Sequence, residues 1–396
     1  MKILVVCQHY WPEPFPLTDI CEGLVQRGHD VHVVTDVPNY PMGYIYPDYQ
    51  KRKNRSQEHN GVRITRTFTV GRRNNVLFRM LNYFSYAISS TWYVLRSRED
   101  YDVVFTNQSS PVTMVSAALA YAKKWNKKTV LYCMDLWPAS LAAGGIRESS
   151  PIYKMFHKIS GFLYRRADRI LITSQMFREY FRREFDIPEE RIGYLPQYAP
   201  ADFELLPPKK QGETVELVFA GNIGTAQCIP TILTAAKKLQ DTENILWHIV
   251  GDGSELNNAK KMASDIGLDC VVFHGRKPLK QMTQYYAMAD AMLVTLTADP
   301  FISMTLPGKV QTYMASGRPI LAAADGETPA VLHAAGCGFC AKAEDANDLS
   351  DKVRSFIAHE DKAQLGANAR NHYLSHFTRE MFLNKLEQEF INILVN

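Results

Sequence analysis

The stretch VELVFAGNIG at residues 215–224 decides the fold, because it joins an apolar, β-rich run to a glycine-bearing turn. Four further segments repeat this design in order: ILWHIVGDGSEL (245–256), VVFHGRKP (271–278), ADAMLVTL (289–296) and PGKVQTYMASGRPILAA (307–323). The spacing is 30 residues from Gly221 to Gly251 and 24 from Gly251 to Gly275, which is the length of a βα unit. The second half of the chain is therefore predicted to form a doubly wound parallel sheet.

A sheet of this kind has one edge that is suited to ligands. The turns at the carboxyl ends of parallel strands open on a common crevice. Glycines in those turns let backbone N–H groups and helix N-termini approach a phosphate closely. The crevice is therefore suited to a nucleotide.

The first half of the chain has a similar organisation. Helical patterns such as LTDICEGLVQRG, which ends at the expected C-cap Gly28, separate most of the apolar runs. Strands are predicted near residues 2–7, 31–35, 62–68, 102–107, 128–135 and 168–174. We interpret this half as a second doubly wound sheet.

Length and composition indicate two domains. The chain has 396 residues, 46% of them hydrophobic and 22% charged, which is enough for two cores. Four prolines, Pro196, Pro200, Pro207 and Pro208, interrupt regular structure between the halves. We place the boundaries at 1–196, a hinge at 197–214, a second domain at 215–375 and a terminal helix at 376–396, where Leu383, Leu386, Phe390 and Ile393 form an apolar stripe.

The ends and the cysteines bear on location and metal binding. The initial strand KILVVC shows no signal-peptide pattern, so we expect a cytoplasmic protein. Seven scattered cysteines are an odd number and are typical of reduced thiols. Cys337-Gly-Phe-Cys340, with His333 nearby, lacks a partner pair to complete four zinc ligands, and we interpret it as a strand near a glycine turn.

Positive charge is concentrated between residues 51 and 98. This segment has 11 Lys or Arg and one acid, Glu58, in a chain of net charge +4. Inside it, the segment MLNYFSYAISSTWYVL (80–95) has no charged residue. This segment is too short to span a bilayer, but it suits a helix that lies at the headgroup layer. We predict attachment of 51–98 to an anionic membrane surface; the alternative is an ordinary buried helix. No nucleic-acid-binding motif accompanies the block, so nucleic acid is not an expected partner.

Five phrases carry a resemblance to a known family. They are HYWPE (9–13), RGHDVHVVTDVPNYPMG (27–43), MDLWPAS (134–140), AGNIGTAQ (220–227) and LPGKVQTYMASGRPI (306–320). In this order they resemble family 4 glycosyltransferases with the GT-B fold, and within that family the WbuB-like enzymes of bacterial surface polysaccharides. The resemblance covers most of the chain.

The resemblance implies a fold and a reaction. The GT-B fold has two doubly wound, Rossmann-like domains that face a central cleft, and its last helix crosses back to the first domain. The implied reaction moves a hexosyl group, with retention, from a nucleotide diphosphate sugar, with UDP as first choice, to a lipid-linked saccharide such as an undecaprenyl diphosphate sugar. The product would serve capsule, exopolysaccharide or O-antigen synthesis at the inner face of the membrane. Neither a cofactor nor a metal ion is expected.

Donor residues are assigned by position in the matched phrases. Transfer requires cations or N–H groups at the departing diphosphate. The Arg and Lys that the family usually carries after the first strand of this domain are absent, so Lys309 is the expected catalytic cation. Arg276 is expected near the base or the phosphates, and either residue could instead be a solvated loop cation. The other donor-side candidates are Gly221, Asn222, Gly224, Gln227, Gly251, Asp252, Gly253, Pro307, Gly308, Gln311 and Thr312.

Two further departures from the family pattern affect substrate contacts. The paired glutamates that the family usually carries correspond here to Met304 and Thr312, so Thr312, Gln311 or backbone groups are expected to bind the ribose. The usual glycine pair after the first strand is replaced by residues 11–16, in which three prolines cannot donate to a phosphate. Glu13 in this loop is expected to orient the acceptor.

Asp135 is the expected residue for acceptor chemistry. It ends the run TVLYCMD at the carboxyl edge of the first sheet, where a carboxylate could accept a proton from the acceptor hydroxyl. Its alternative role is an N-cap for the segment from Trp137. Further acceptor-side candidates, each of which could equally be a satisfied loop group, are His9, Asn107, Gln108 and Ser110.

Other functions stay open at this point. A non-hydrolysing nucleotide-sugar epimerase has the same two-domain architecture. A nicotinamide oxidoreductase is less favoured, because the first strand is not followed by G-x-G-x-x-G. A sugar-binding homologue without activity is the third alternative.

Overall fold

The computed structural model describes residues 1–396 except 74, 204, 205, 207, 208, 210, 211, 242 and 396, and no side chain is described at position 76. The chain divides into two units. Unit 1 contains Met1–Thr173, Phe177–Leu195 and the residues from Leu383 onward; unit 2 contains Ser174–Met176 and Pro196–Phe382. Of the predicted hinge 197–214, Pro207 and Pro208 lie outside the described residues.

Unit 1 is built on an eight-stranded sheet. Its strands are β1 (Lys2–Val6), β2 (Asp30–Thr35), β3 (Ser56–His59), β4 (Val62–Arg66), β5 (Val103–Gln108), β6 (Lys128–Cys133), β7 (Arg169–Ile172) and β8 (Ile192–Tyr194). Their order is β3-β4-β2-β1-β5-β6-β7-β8, and only the β3–β4 pair is antiparallel. The strand β1 pairs with both β2 and β5, and from β1 the strand order runs outward in opposite directions. In a doubly wound sheet, the crevice lies at the carboxyl end of the strand where the order reverses, which here is β1.

Helices connect these strands. They are α1 (Leu17–Gln26), α2 (Val76–Arg96), α3 (Ser116–Trp125), α4 (Ala139–Ala143), α5 (Pro151–Tyr164) and α6 (Phe177–Phe185). Local sequence sets several of their ends: the Asn75 side chain accepts from the Phe78 N–H at the start of α2, and Ser150 caps α5, whose first residue is a proline. Gly28 follows α1 at φ +84°, as expected for its C-cap region.

Unit 2 is built on a six-stranded, fully parallel sheet. Its strands are β9 (Val215–Ala220), β10 (Ile245–Val250), β11 (Val271–Gly275), β12 (Ala291–Thr295), β13 (Ile320–Ala323) and β14 (Gly338–Ala341), in the order β11-β10-β9-β12-β13-β14. Its helices are α7 (Ile229–Leu239), α8 (Leu256–Asp265), α9 (Leu279–Met288), α10 (Pro300–Ser303), α11 (Gly308–Ala315), α12 (Glu327–Ala335), α13 (Ala346–Ala358) and α14 (Lys362–His376). The last helix, α15 (Arg379–Val395), begins in unit 2 and belongs to unit 1 from Leu383 onward. The prediction of two doubly wound sheets is confirmed.

Both faces of the unit 2 sheet are buried. Leu217 and Trp247 contribute to the core on one face, and Val218 and Val250 contribute to the core on the other. Such two-sided burial explains why these strands are continuous apolar runs without alternation, which made them recognisable from the sequence.

Two strands were not predicted. The β3 segment SQEH has no apolar residue. It pairs with β4 at the edge of the sheet, where a strand does not need apolar side chains for a core. The β8 segment is only three residues long. The strand interpretation of Cys337–Cys340 corresponds to β14, which begins at Gly338.

The last helix contributes to unit 1. Of the predicted apolar stripe, Leu383, Leu386 and Phe390 are buried. The Phe390 ring packs against Phe105 of β5 with centroids 5.6 Å apart. Arg169 at the start of β7 makes two hydrogen bonds, of 2.7 and 2.9 Å, to the Glu389 carboxylate. Bidentate pairs of this type are directional, so the end of α15 is held in one register on the sheet.

Candidate functional site

The predicted donor side of unit 2 is formed by the turns that follow β9, β10 and β11. The Gly221 N–H donates to the Val250 carbonyl at 2.9 Å, and the Gly251 N–H donates to the Gly275 carbonyl at 3.0 Å. These bonds extend the parallel pairing beyond the ends of the strands. The three glycine turns are thereby brought side by side at the carboxyl edge of the sheet.

Glycine is required where the first two turns touch. A Cβ on Gly251, whose φ is +149°, would lie 1.8 Å from the Gly221 carbonyl oxygen. A Cβ on Gly253 would lie 2.2 Å from the Ile223 carbonyl oxygen. Because both obstacles are backbone atoms, neither can move aside as a flexible side chain would. The two turns can therefore pack only through glycine backbone.

Gln227 organises the first turn. Its Oε1 accepts from the Gly224 N–H at 3.2 Å and from Asn222 Nδ2 at 3.3 Å. Asn222 is exposed, whereas Gly224 and Gln227 are half-buried. Gln227 therefore acts mainly by holding the shape of the loop, and Asn222 remains the exposed polar side chain of this turn.

Lys309 is buried beneath the Gly221 turn. Its Nζ lies 4.0 Å from the centroid of the Phe219 ring and 3.0 Å from the position that a Cβ on Gly221 would take. Nζ is inaccessible to solvent and has no hydrogen-bond partner among the described residues. Burial lowers the pKa of Lys309 to about 7. The alternative of a solvated loop lysine is therefore wrong: Nζ contacts the Phe219 ring and, in the described part of the chain, has neither a hydrogen-bond acceptor nor a carboxylate partner.

Tyr313 holds the helix that carries Lys309. It lies one turn further along α11, and its hydroxyl donates to the Ala220 carbonyl at 2.8 Å and accepts from the Ala220 N–H at 3.1 Å. Ala220 immediately precedes Gly221, so this pair couples the start of α11 to the glycine turn. The sequence analysis missed Tyr313, although the i,i+4 spacing from Lys309 places both on one side of a helix.

Two predicted ribose contacts need correction. The Gln311 amide, in its hydrogen-bonded orientation, donates to the carbonyls of Pro307 and Gly308. The Thr312 hydroxyl donates to the Gly308 carbonyl at 3.1 Å. Both side chains are buried and satisfy the first turn of their own helix, so neither points to a ligand. Pro307 is the N-cap of α11, and Gly308 is its first residue.

Asp252 and Arg276 lie in the second and third turns, and both are exposed. The Asp252 carboxylate accepts from the Gly253 N–H at 2.8 Å. It does not cap the following helix, because α8 begins at Leu256 with Glu255 as its N-cap. Arg276 follows directly after β11, at the same edge of the sheet as the glycine turns.

On the acceptor side of unit 1, the structure brings Asp135 and Ser110 together. The Ser110 hydroxyl donates to the Asp135 carboxylate, and Trp137 Nε1 donates to Ser110 at 2.8 Å. Burial raises the pKa of Asp135, although the Ser110 bond opposes this. The N-cap alternative is wrong, because α4 begins only at Ala139 with Pro138 before it. Asp135 is therefore available as a hydrogen-bond or proton acceptor.

Of the two neighbouring candidates, Gln108 has a structural role, and Asn107 has no side-chain partner among the described residues that would assign it one. The Gln108 side chain donates to the Asp135 carbonyl at 2.9 Å and accepts from the Tyr164 hydroxyl at 3.2 Å, so it braces the loop. It is fully buried, and we correct its predicted acceptor contact on that basis. Asn107 is also buried, and its Oδ1 has no partner among the described residues.

His9 and Glu13 form a dyad above β1. One Glu13 oxygen accepts from the N–H groups of Asn39 and Tyr40, each at 2.6 Å. The other oxygen lies 3.0 Å from His9 Nδ1. Glu13 is buried by these bonds and cannot contact an acceptor directly, which corrects its predicted role. If Nδ1 carries the proton for this bond, Nε2 keeps a lone pair, and it has no partner among the described residues.

One cluster of possible metal ligands occurs in the described part of the chain: His9, Glu13 and Asp36, whose ligand atoms lie within 4.8 Å of one another. Part of their capacity is already used, whereas His9 Nε2 and Asp36 Oδ1 have no partner among the described residues. Asp36 Oδ2 accepts from Asn39 Nδ2 at 3.1 Å, and Glu13 is saturated as described above. Burial, followed by repulsion from Glu13, raises the pKa of Asp36 well above its usual value, which favours the neutral acid in the protein without a bound ion.

The basic segment 51–98 is not a uniform surface. The Arg66 guanidinium is buried and donates to the carbonyls of Trp11 and Asp36. Arg63 pairs with Glu99 at 2.8 Å. The predicted apolar helix is α2, and it is not an ordinary buried helix. It exposes a line of large apolar residues that we term the α2 stripe: Leu77, Leu81, Phe84, Ile88, Trp92 and Leu95.

Membrane spanning is a separate question. None of the described helices combines the length and the hydropathy that crossing a bilayer requires. The spacing of the α2 stripe, by three or four residues, instead places its apolar side chains on one face of the helix.

Comparison with known proteins identifies relatives over almost the whole chain. The family profile "Glycosyltransferase Family 4" matches residues 17–197, and the profile "Glycosyl transferases group 1" matches residues 204–372. The two profiles meet close to the boundary at Pro196 between the main segments of units 1 and 2.

Two relatives and one solved structure illustrate the similarity. The chain is 25% identical over 335 residues to the probable glycosyltransferase WbjE of Pseudomonas aeruginosa, covering 80% of this chain and 81% of WbjE. It is 24% identical over 341 residues to WcaI of Escherichia coli (strain K12), named as a colanic acid biosynthesis glycosyl transferase, covering 80% and 82%. The crystal structure of Anabaena HepE in complex with UDP and glucose matches with a TM-score of 0.71 at 15% identity, covering 98% and 99% of the two chains, which shows the fold.

Proposed function

Because this chain is a family 4 glycosyltransferase with the GT-B fold, we propose that it transfers a hexosyl group from a UDP sugar to a lipid-linked saccharide during surface polysaccharide synthesis. Membership of this family decides against the epimerase and the oxidoreductase that the sequence left open. The named roles of WcaI, in colanic acid biosynthesis, and of HepE, bound to UDP and glucose, support the process and the nucleotide.

The observation that carries the donor half of the proposal is the buried Lys309 ammonium, which has no hydrogen-bond or ion-pair partner among the described residues. A buried cation that lacks a counter-ion is unfavourable in the free protein. A diphosphate on the Gly221 turn would supply the missing negative charge, and the N-terminus of α11 would add a favourable dipole. As the glycosidic bond to the diphosphate breaks, the same cation stabilises the charge that develops on the leaving group.

In this proposal the acceptor hydroxyl is deprotonated in unit 1. Asp135 accepts the proton, since burial raises the pKa of its carboxyl group and the Ser110 hydroxyl holds the carboxylate in place. His9 Nε2 is the second candidate, with Glu13 setting the tautomer. We further propose that the anomeric configuration is retained, as the family resemblance implies.

The lipid-linked acceptor is supported by the α2 stripe. Trp92 is 60% exposed and Ile88 is 70% exposed, which leaves a costly apolar surface in water. The Arg96 guanidinium lies 3.7 Å from the Trp92 ring centroid, so cations border the stripe. An apolar face with basic borders suits the headgroup layer of an anionic bilayer, and we propose that unit 1 attaches there to reach a lipid diphosphate saccharide.

A transfer assay tests the function. The purified chain would be incubated with radiolabelled UDP-glucose, UDP-galactose or UDP-N-acetylglucosamine and a polyprenyl diphosphate saccharide in detergent, with GDP and dTDP sugars as controls. We expect label in the lipid fraction together with free UDP. Label in the lipid from a GDP or dTDP sugar alone would overturn the nucleotide, and epimerised donor without labelled lipid would overturn the reaction.

Donor binding should depend on pH through Lys309. The ammonium is half protonated near pH 7, so the dissociation constant of UDP should rise roughly tenfold per pH unit between pH 7 and 9, where UDP is fully ionised. Isothermal titration calorimetry would measure this. Lys309→Arg is the matched control, because a guanidinium stays protonated and should give a flat profile. A flat profile for the unmodified protein would contradict the assignment.

Asp135→Asn should lower the turnover number about 100-fold, because it keeps the shape of the side chain but removes the proton acceptor. The KM for the donor should change little, and steady-state kinetics would separate the two. Ser110→Ala is the control, since it removes a hydrogen bond and leaves the carboxylate in place. Turnover of Asp135→Asn within threefold of the unmodified protein, combined with loss in His9→Gln, would move the role to His9.

Transfer should not require a divalent ion, since Lys309 and the start of α11 take the role of neutralising the diphosphate. We expect the initial rate to be unchanged by an excess of EDTA, about 10 mM, both with and without added magnesium. Complete loss of turnover that magnesium restores would contradict this prediction.

A further inference from the structure

The outward face of α5 is composed of apolar and basic side chains. Ile152, Met155 and Phe162 are 53%, 46% and 52% exposed, and their spacing of three and seven residues places them in one line along the helix. Lys154 and Lys158 are exposed beside them. We term these five residues the α5 face. Within α5 as described, no acidic side chain is exposed.

A basic cavity lies at the carboxyl end of α5. Its volume is about 600 Å³. Its lining residues come from the amino ends of β6, β7 and β8 and from α15: Lys128, Arg165, Arg166, Ala167, Asp168, Arg169, Glu190, Arg191, Glu389, Asn392 and Ile393. The cations Lys128, Arg165 and Arg166 are exposed at this cavity.

The acids of the cavity are mostly engaged within the protein. Asp168 accepts from the N–H and hydroxyl of Thr129, at 2.9 and 2.8 Å. Glu389 is held by Arg169. Glu190 is the exposed acid, against three exposed cations. The accessible part of the cavity is therefore positive, and it suits a phosphate.

The α5 face and the α2 stripe lie on the same side of the sheet. Helices α3 and α5 both follow right-handed crossovers between parallel strands that advance in one direction, β5 to β6 to β7, which places them on one face. Helix α2 packs along α3, and both α2 and α5 contact the turn Val112–Val115. At the end of α3, Lys123, Lys124 and Trp125 are exposed as well. One layer of helices thus exposes apolar and basic groups at three places.

We propose that the α5 face is a second membrane contact, whose occupant is an anionic phospholipid bilayer, with lipid phosphates taken by Lys128, Arg165 and Arg166 at the rim of the cavity. The inference rests on the proposed function, which needs unit 1 at a membrane. Charge complementarity argues for this occupant, since cations border the apolar residues in the same way on α2 and on α5. The Arg166 guanidinium, 3.4 Å from the Phe162 ring centroid, joins the two kinds of contact.

Vesicle sedimentation of the full chain tests the proposal. The partition coefficient would be measured on vesicles of phosphatidylcholine alone and on vesicles with about one third phosphatidylglycerol, a mixture with a negative surface potential. Arg165→Gln/Arg166→Gln should lower partition into anionic vesicles roughly thirtyfold, at about fivefold per basic residue, and leave neutral vesicles unaffected. Met155→Ser/Phe162→Ser should lower partition into both.

Matched controls remove equivalent groups elsewhere. Lys260→Gln/Lys261→Gln removes two exposed charges from α8, and Leu374→Ser/Met381→Ser removes two exposed apolar groups from α14 and α15. Both should bind vesicles like the unmodified protein. The single change Phe162→Ser, at an exposed position, keeps the test valid if a double variant does not fold.

Two outcomes overturn the inference. One is unchanged partition of both α5 variants, whether or not Ile88→Ser/Trp92→Ser in the α2 stripe abolishes binding. The other is an equal loss in the α5 variants and in the controls. The proposed function is tested separately, by measuring sugar transfer catalysed by the unmodified protein to a short-chain acceptor in detergent. Its failure is therefore distinguishable from failure of the α5 contact.

Discussion

Lys309→Met is expected to abolish sugar transfer and to make the fold more stable at the same time. Transfer should fall about 1,000-fold or more, because the variant removes the cation that we propose stabilises the departing diphosphate. The free energy of unfolding at pH 7 should rise by roughly 3 kcal/mol, because methionine fills the site without burying a charge that has no partner. Opposite effects on activity and stability indicate a residue retained for function.

The stability gain should depend on pH in a defined direction. Burial lowers the pKa of Lys309 in the folded state from 10.5 to about 7. The unfavourable burial is therefore fully present below pH 7, fades as the pH rises towards 10.5, and is lost above 10.5, where the lysine is neutral in both the folded and the unfolded state. The advantage of Lys309→Met over the unmodified protein should shrink over the same range, which urea unfolding at pH 6, 8 and 10 would measure.

A surface lysine provides the comparison for this variant. Lys260→Met on α8 removes an exposed ammonium, so transfer and unfolding free energy should both stay close to those of the unmodified protein. Lower stability of Lys309→Met, or donor binding at the unmodified affinity, would contradict the assignment of Lys309 as a buried diphosphate receptor.

Gly251→Ala is expected to destabilise unit 2 and to eliminate nucleotide binding. The new Cβ would lie 1.8 Å from the Gly221 carbonyl oxygen, so the first two turns must separate. The loss should be about 4 kcal/mol or more, which is exceptional for the addition of one methyl group. Urea unfolding gives the free energy, and calorimetry with UDP gives the affinity.

Gly267→Ala separates the clash from backbone strain. Gly267 also has a positive φ, of +63°, but a Cβ there would have no atom within 4 Å. It should cost only about 1 kcal/mol and leave UDP affinity unchanged. Equal losses in the two variants would show that the contact between the turns is not what Gly251 provides.

The sequence was most informative where structure is local. Apolar runs ended by glycine turns predicted β9, β10 and β11 within a few residues. Such runs are expected for β9 and β10, which lie inside the sheet and are buried on both faces, whereas β11 is an edge strand and is only partly buried. The edge strand β3 was not predicted, since it needs no apolar pattern to pair with β4. Helix α2 was found from an uncharged segment, but that segment could not indicate which of its residues are exposed.

Roles within the candidate site were less predictable. Glu13 and Gln311 were chosen as polar residues in matched phrases, yet each satisfies backbone groups of its own loop or helix. A hydrogen-bonding side chain is equally suited to a ligand and to an unpaired N–H or carbonyl. Whether such a side chain contacts a ligand or a backbone group depends on which parts of the folded chain lie next to it, and the residue type alone does not predict this.

The amino-acid sequence alone determined that the chain forms two doubly wound sheets with glycine turns at the carboxyl edge of the second, because strand period and turn chemistry are properties of neighbouring residues. Only the tertiary structure decided that the Lys309 ammonium is buried with no hydrogen-bond partner among the residues that the structure describes. That state arises from Phe219 and Gly221, which approach Lys309 from β9 and the turn after it. The tertiary structure also decided that the α2 stripe and the α5 face lie on one side of a sheet, because crossover connections bring together helices that are distant in sequence.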